Sequence, residues 1–263
     1  MIQTLGRKQT SSHEDWVQVM DNIERIVPKR ELDNLLDRSV EDVKKKTKGK
    51  KTAFAWSGGK DSIALEGVMK EAGVHECLMG MSNLEYPQFL RWVTDYMPDG
   101  LEVINTGQDL KWLAKHQDML FPQDSTTAAK WFKMIQHKAQ EKYFEKHQLE
   151  IIILGRRKAD GNYIGKKGEN LYTNRQGITR FSPIADWTHE HILAYLHYYY
   201  ENPLPPFYSW PRGYRCGTHS WAARQWCNGI MDGWREVYTI DQDIVFEASK
   251  YISSAKTFLE RMR

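Results

Sequence analysis

Six consecutive residues carry the plainest chemical signal in this chain: Ser57-Gly58-Gly59-Lys60-Asp61-Ser62. Paired glycines let a backbone approach a ligand closely, and a lysine with two flanking hydroxyls offers donors to an anion. The apolar run Ala53-Phe54-Ala55-Trp56 precedes the motif, and Leu65, Val68, Met69 and Ala72 follow it with helical spacing. The pattern predicts a turn from a buried strand into an amphipathic helix. Helix starts gather outward-pointing amides and the positive end of the dipole, so this turn is a predicted phosphate site. The spacing is not that of a Walker loop, because four residues do not separate a first glycine from Gly-Lys-Ser/Thr. Asp61 has two readings: a carboxylate that orients Mg²⁺, or an acidic residue favouring the first helical turn.

A second set of candidates lies about a hundred residues on. Ile151-Ile152-Ile153-Leu154 reads as a buried parallel strand, and Gly155 stands at its carboxyl end, where open α/β sheets place ligands. Arg157 and Lys158 follow and would meet phosphate or sulfate oxygens, the arginine through its bidentate fork. Cys216, flanked by Arg215 and His219, has the setting of a depressed thiol pKa, although a small buried residue at a turn explains it equally well. His189 and His191 read as surface residues opening a helix, since no third ligand has metal spacing.

The elements that must position these residues follow from periodicity. Residues 14 to 46 read as helices broken near Pro28, and Lys44 to Lys51 leads into the first strand. Further strands are expected at Glu76 to Met81 and Leu101 to Ile104, with helices at Tyr86 to Tyr96, Ala128 to His147 and His189 to Tyr200. Residues 107 to 126 suit a substrate-facing insertion. The alternation predicts an α/β fold with a doubly wound, mostly parallel, five-stranded sheet. Its organisation is read as a helical N-terminal extension over 1–50, a nucleotide-binding domain over 51–220 and a helical C-terminal extension over 221–263.

Composition bounds the rest. The chain has 263 residues, 41% hydrophobic and 27% charged, as in an ordinary soluble protein. No apolar run approaches the roughly 18 residues of a membrane span, and no secretory h-region is visible, so no membrane partner is expected. Three cysteines make no disulfide framework, fit a reducing cytoplasm, and are too few for four-cysteine ligation of an iron–sulfur cluster. A net charge of +3 argues weakly for nucleic acid; the lysines of 44 to 51 and the group Arg156, Arg157, Lys158, Lys166 and Lys167 read first as solvated segments. The ten tryptophans suit core or subunit contact, the latter in a homo-oligomer.

The glycine-rich turn resembles the pyrophosphate-binding PP-loop of the adenine nucleotide α-hydrolase-like superfamily, which implies ATP or a related nucleotide as ligand. Gly155-Arg156-Arg157-Lys158-Ala159-Asp160 resembles the glycine-x-arginine-x-x-acid element of phosphoadenosine phosphosulfate (PAPS) reductases. Pro183-Ile184-Ala185-Asp186-Trp187-Thr188, the leucine-proline segment Asn202 to Tyr208, and Gly213-Tyr214-Arg215 are similar to further stretches of that family, covering residues 50 to 220. Two departures bear on mechanism. Met81-Ser82-Asn83 replaces the family's aspartate-threonine-glycine, although Glu85-Tyr86-Pro87 survives, and residues 228 to 263 hold no cysteine.

Three readings therefore stand. The ending Lys-Asp-Ser resembles relatives that split ATP between its α- and β-phosphates, such as FAD synthetase and tRNA-thiolating enzymes. It implies adenylylation of an unidentified acceptor, with Mg²⁺ sharing the charge neutralisation. In that reading Ser57, Gly58, Gly59, Lys60, Asp61, Ser62, Gly155, Arg157 and Lys158 hold the nucleotide. The second reading is a sulfonucleotide reductase that acts on PAPS through Cys216. The third is a catalytically silent nucleotide-binding module that engages nucleic acid or a partner protein through its basic segments.

Overall fold

Residues 5–6 and 10–262 are described by a computed structural model. Its strands are β1 (Thr52–Ala55), β2 (Cys77–Met81), β3 (Leu101–Asn105), β4 (Ile151–Ile153), β5 (Leu171–Thr173) and β6 (Thr179–Phe181), in the sheet order β3-β2-β1-β4-β6-β5. β1 pairs in parallel with β2 and with β4, and β4 in parallel with β6. β5 runs antiparallel to β6. The α/β class and the mostly parallel sheet agree with the sequence, but the sheet has six strands rather than five. Four of the strands are those located in the sequence, and the other two form the β5–β6 hairpin, whose turn is closed by the Asn174 side chain accepting from the Gln176 and Ile178 amides, with Gly177 at a φ of 79°.

β1 and β4 are central strands, and their continuous apolar runs are buried as such strands require. The helix Lys60–Ala72 follows the glycine turn and stops where Gly73 adopts the left-handed conformation. The expected helix over 128 to 147 consists of Ser125–Phe132, a wider-wound stretch Lys133–His137, and Lys138–Lys146. Helices His13–Asp21, Ile23–Ile26 and Lys29–Thr47 precede β1, and Ile230–Ile240, Gln242–Ser249 and Ser253–Arg261 close the described chain. No described helix is long and apolar enough to cross a membrane.

The chain divides into two compact units: one of Met1–Met79, Tyr96–Val103 and Gln140–Pro205, the other of Gly80–Asp95, Ile104–Ala139 and Pro206–Arg263. The glycine turn, Gly155, Arg157 and Lys158 belong to the first, and Cys216 to the second.

Candidate functional site

The turn is tied together by its own hydroxyls. Ser62 Oγ donates to the Gly59 carbonyl at 2.8 Å and accepts from the Ser57 amide at 3.1 Å, while Ser57 Oγ lies 3.3 Å away. Gly58 takes a φ of 68°, a conformation that costs a residue with a Cβ and costs glycine nothing. Gly59 then caps the helix, its carbonyl accepting from the Ser62 and Ile63 amides. The start of a helix of 13 residues thus faces out of a backbone fixed by its first turn.

Gly155 serves a different purpose from the turn glycines. A Cβ there would stand 3.3 Å from the Asp61 carbonyl oxygen, so glycine lets the end of β4 lie against the first turn of the helix. That approach brings Arg157 to Asp61. Arg157 Nη2 lies 2.7 Å from Asp61 Oδ1 and 2.9 Å from Asp160 Oδ2, and Nη1 donates to the Trp187 carbonyl at 3.2 Å. The spacing of arginine and acid in the motif is accounted for: the single 3₁₀ turn Lys158–Asp160 folds the acid back onto the arginine.

Lys60 and Arg157 were expected to project toward a ligand. Instead Lys60 is only 3% exposed, its ammonium 2.9 Å from Asp61 Oδ2 and 5.0 Å above the Trp16 ring, and Arg157 is wholly buried. Two cations and two carboxylates thus balance one another beneath the turn. Asp61 accepts from both cations, and no group of three or more histidine, cysteine, aspartate or glutamate side chains placed to hold a metal ion occurs among the described residues. Lys158 is exposed, and its ammonium pairs with Asp186.

His189 is the residue that sequence reasoning misplaced. It does open the helix His189–Tyr199, but it is buried against Arg157 and Trp16, not on the surface. Arg157 Nη2 donates to its Nδ1 at 3.1 Å, and Trp16 meets the ring edge-on at 4.8 Å between centroids. Burial first, then the Arg157 and Lys60 charges, lower its pKa to about 4. The ring is therefore neutral, with the proton on Nε2. Trp16 had no signal, because nothing local marks a tryptophan that reaches a lysine 44 residues on. A second displaced group lies beside the site: Glu66 accepts from Trp56 Nε1 at 2.8 Å, and burial lifts its carboxyl to about 7.

In the second unit, Cys216 ends the short helix Gly213–Cys216 and is buried. His219, expected to flank it, is paired with Glu85, whose other oxygen accepts from the Ser82 amide and hydroxyl at 2.9 Å each. Ser82, inside the departing triplet, thus anchors the surviving Glu85. Nearby, Arg224 is held by Glu236 at 2.9 Å, and burial pushes the Tyr86 hydroxyl up, which keeps it neutral.

A strand, a glycine turn and a helix start thus meet on a mostly parallel sheet, with Arg157, from the segment after β4, beneath them. The chain belongs to the phosphoadenosine phosphosulfate reductase domain family, whose model matches residues 51–215. It is similar to the crystal structure of a phosphoadenylyl-sulfate (PAPS) reductase from Candida auris in its phosphate complex, at 13% identity and a TM-score of 0.48, covering 68% of this chain and 90% of that one. It is also similar to a Candida glabrata FMN adenylyltransferase in complex with FMN and the ATP analogue AMPCPP, at 12% identity and a TM-score of 0.46, covering 74% and 68%. No curated protein sequence matches the chain.

Proposed function

We propose that the chain binds an adenine nucleotide at Ser57 to Ser62 and cleaves ATP between its α- and β-phosphates, passing the adenylyl group to an acceptor. The reading rests on the self-tied glycine turn with Lys60 and Arg157 gathered beneath it. An acceptor oxygen attacks the α-phosphorus, the bond to the bridging oxygen breaks, and pyrophosphate departs with the electron pair. No protein nucleophile is needed; positioning and charge compensation supply the catalysis. Lys60 exchanges Asp61 for a phosphate oxygen as the nucleotide enters, while Arg157 retains Asp61 and Asp160 and keeps the turn in place. Residues 51–220 carry this activity, with helical extensions on either side, in a reducing cytoplasm.

The alternative is a reductase that acts on PAPS through Cys216, a buried free cysteine. Against it, His219 is engaged by Glu85 and the thiol is buried. Incubation with ATP or with PAPS, scoring pyrophosphate and sulfite, separates the two. Pyrophosphate from ATP supports adenylyl transfer. Sulfite from PAPS that disappears in Cys216→Ser replaces it with the reductase.

A further inference from the structure

We infer that Arg180, with Arg156 and Tyr172, forms a second oxyanion site that takes a phosphate or sulfate group in addition to the glycine turn. Arg180 occupies β6, paired with Ile152 of β4 on one side and Tyr172 of β5 on the other. Directly opposed residues of an antiparallel pair share a face, so the Arg180 and Tyr172 side chains are neighbours. Arg156 reaches the same tyrosine, its Nη1 donating to the Tyr172 hydroxyl at 3.2 Å. That hydroxyl, accepting from Arg156, keeps its own proton to donate.

What singles out Arg180 is its lack of a counterion. It is 6% exposed, its Nε is buried without an acceptor, and its side chain makes no hydrogen bond or ion pair among the described residues. The other deeply buried arginines are treated differently: Arg157 has Asp61 and Asp160, and Arg224 has Glu236. A buried guanidinium with no acid is expensive, and a tetrahedral oxyanion matches its fork with two parallel donors. Burial first, opposed by Tyr172, and then the Arg180 charge hold Arg156 below its usual range, so the two guanidiniums are close enough to repel. Tyr163, 56% exposed, meets Tyr172 edge-on at 5.0 Å and forms the rim.

The site does not depend on the reaction proposed above, and the test keeps the two apart. Inorganic phosphate is titrated into wild type, Arg180→Met and Gly59→Val while arginine Nε–Hε NMR signals and binding heat are followed. The Arg180 signal, identified by its loss in Arg180→Met, is expected to shift in wild type and in Gly59→Val alike. Phosphate affinity at that site is expected to fall tenfold or more in Arg180→Met. Should Arg180→Met not fold, Arg180→Lys identifies the signal. An Arg180 signal that stays fixed overturns the inference, and so does a shift that vanishes in Gly59→Val, which would place phosphate at the turn alone. ATP in place of phosphate distinguishes the sources. A shift with ATP that Gly59→Val abolishes assigns the oxyanion to the same nucleotide; a shift with free phosphate and none with ATP assigns it to a separate ligand.

Discussion

His189 and Glu66 make opposite contributions to stability over one pH range, and removing either exposes the other. His189 has a folded pKa of about 4 against an ordinary 6.5, so the unfolded chain binds the extra proton between those values. Its contribution is complete above about pH 6.5 and is lost as pH falls toward 4. Glu66 is displaced the other way, to about 7 from 4.5; here the folded protein binds the extra proton, and stability declines as pH rises from 4.5 to 7. Each displacement corresponds to about 3 kcal/mol at 1.36 kcal/mol per unit, an upper bound that solvent access at partly exposed Glu66 reduces. The two slopes largely cancel in the wild type. Urea unfolding from pH 4.5 to 7.5 is expected to show Glu66→Gln gaining stability with rising pH relative to wild type, and His189→Asn losing it, by about 2–3 kcal/mol across the window. Parallel profiles for both variants and wild type would refute the assigned burial and charge environment.

Three further outcomes follow from the geometry. Lys60→Ala should lower pyrophosphate release about tenfold to hundredfold, from the loss of a charge-assisted contact of about 1.5–3 kcal/mol, while Cys216→Ser keeps the rate; steady-state kinetics with ATP and the identified acceptor checks both. Gly67→Ala should destabilise the protein by about 1–3 kcal/mol in urea unfolding despite its better helix propensity, because the added methyl overlaps the Tyr195 hydroxyl. Asp61→Asn removes the carboxylate that competes for Lys60 and should tighten pyrophosphate binding in calorimetry, whereas a metal-orienting Asp61 would instead weaken it in the presence of Mg²⁺.

The parts legible in the sequence were those encoded locally. Ala53 to Ala72 carries its strand, its glycines and its helical period in one stretch, and Gly73 marks the stop in a left-handed conformation that costs glycine nothing. The β5–β6 hairpin was not legible. Its strands have three residues each, too short for alternation to register, and what fixes them is the pairing of β6 with β4 and of β5 with β6. The site shows the same division. The motif residues are visible in the sequence, but the orientation of their side chains depends on distant partners: Trp16 over Lys60, Asp160 beneath Arg157, Glu85 on His219. His189 read as a surface residue because a histidine after a threonine cap normally faces water, and its burial arises from the Trp16 helix packing over it.

Calorimetric titration of ATP into wild type and Gly59→Val tests whether the Ser57 to Ser62 turn holds the nucleotide. A branched side chain at position 59 fills the space a phosphate would occupy and restricts the cap. Measurable affinity is expected in the wild type and none in the folded variant. Equal affinity in the two proteins would remove the turn from the site.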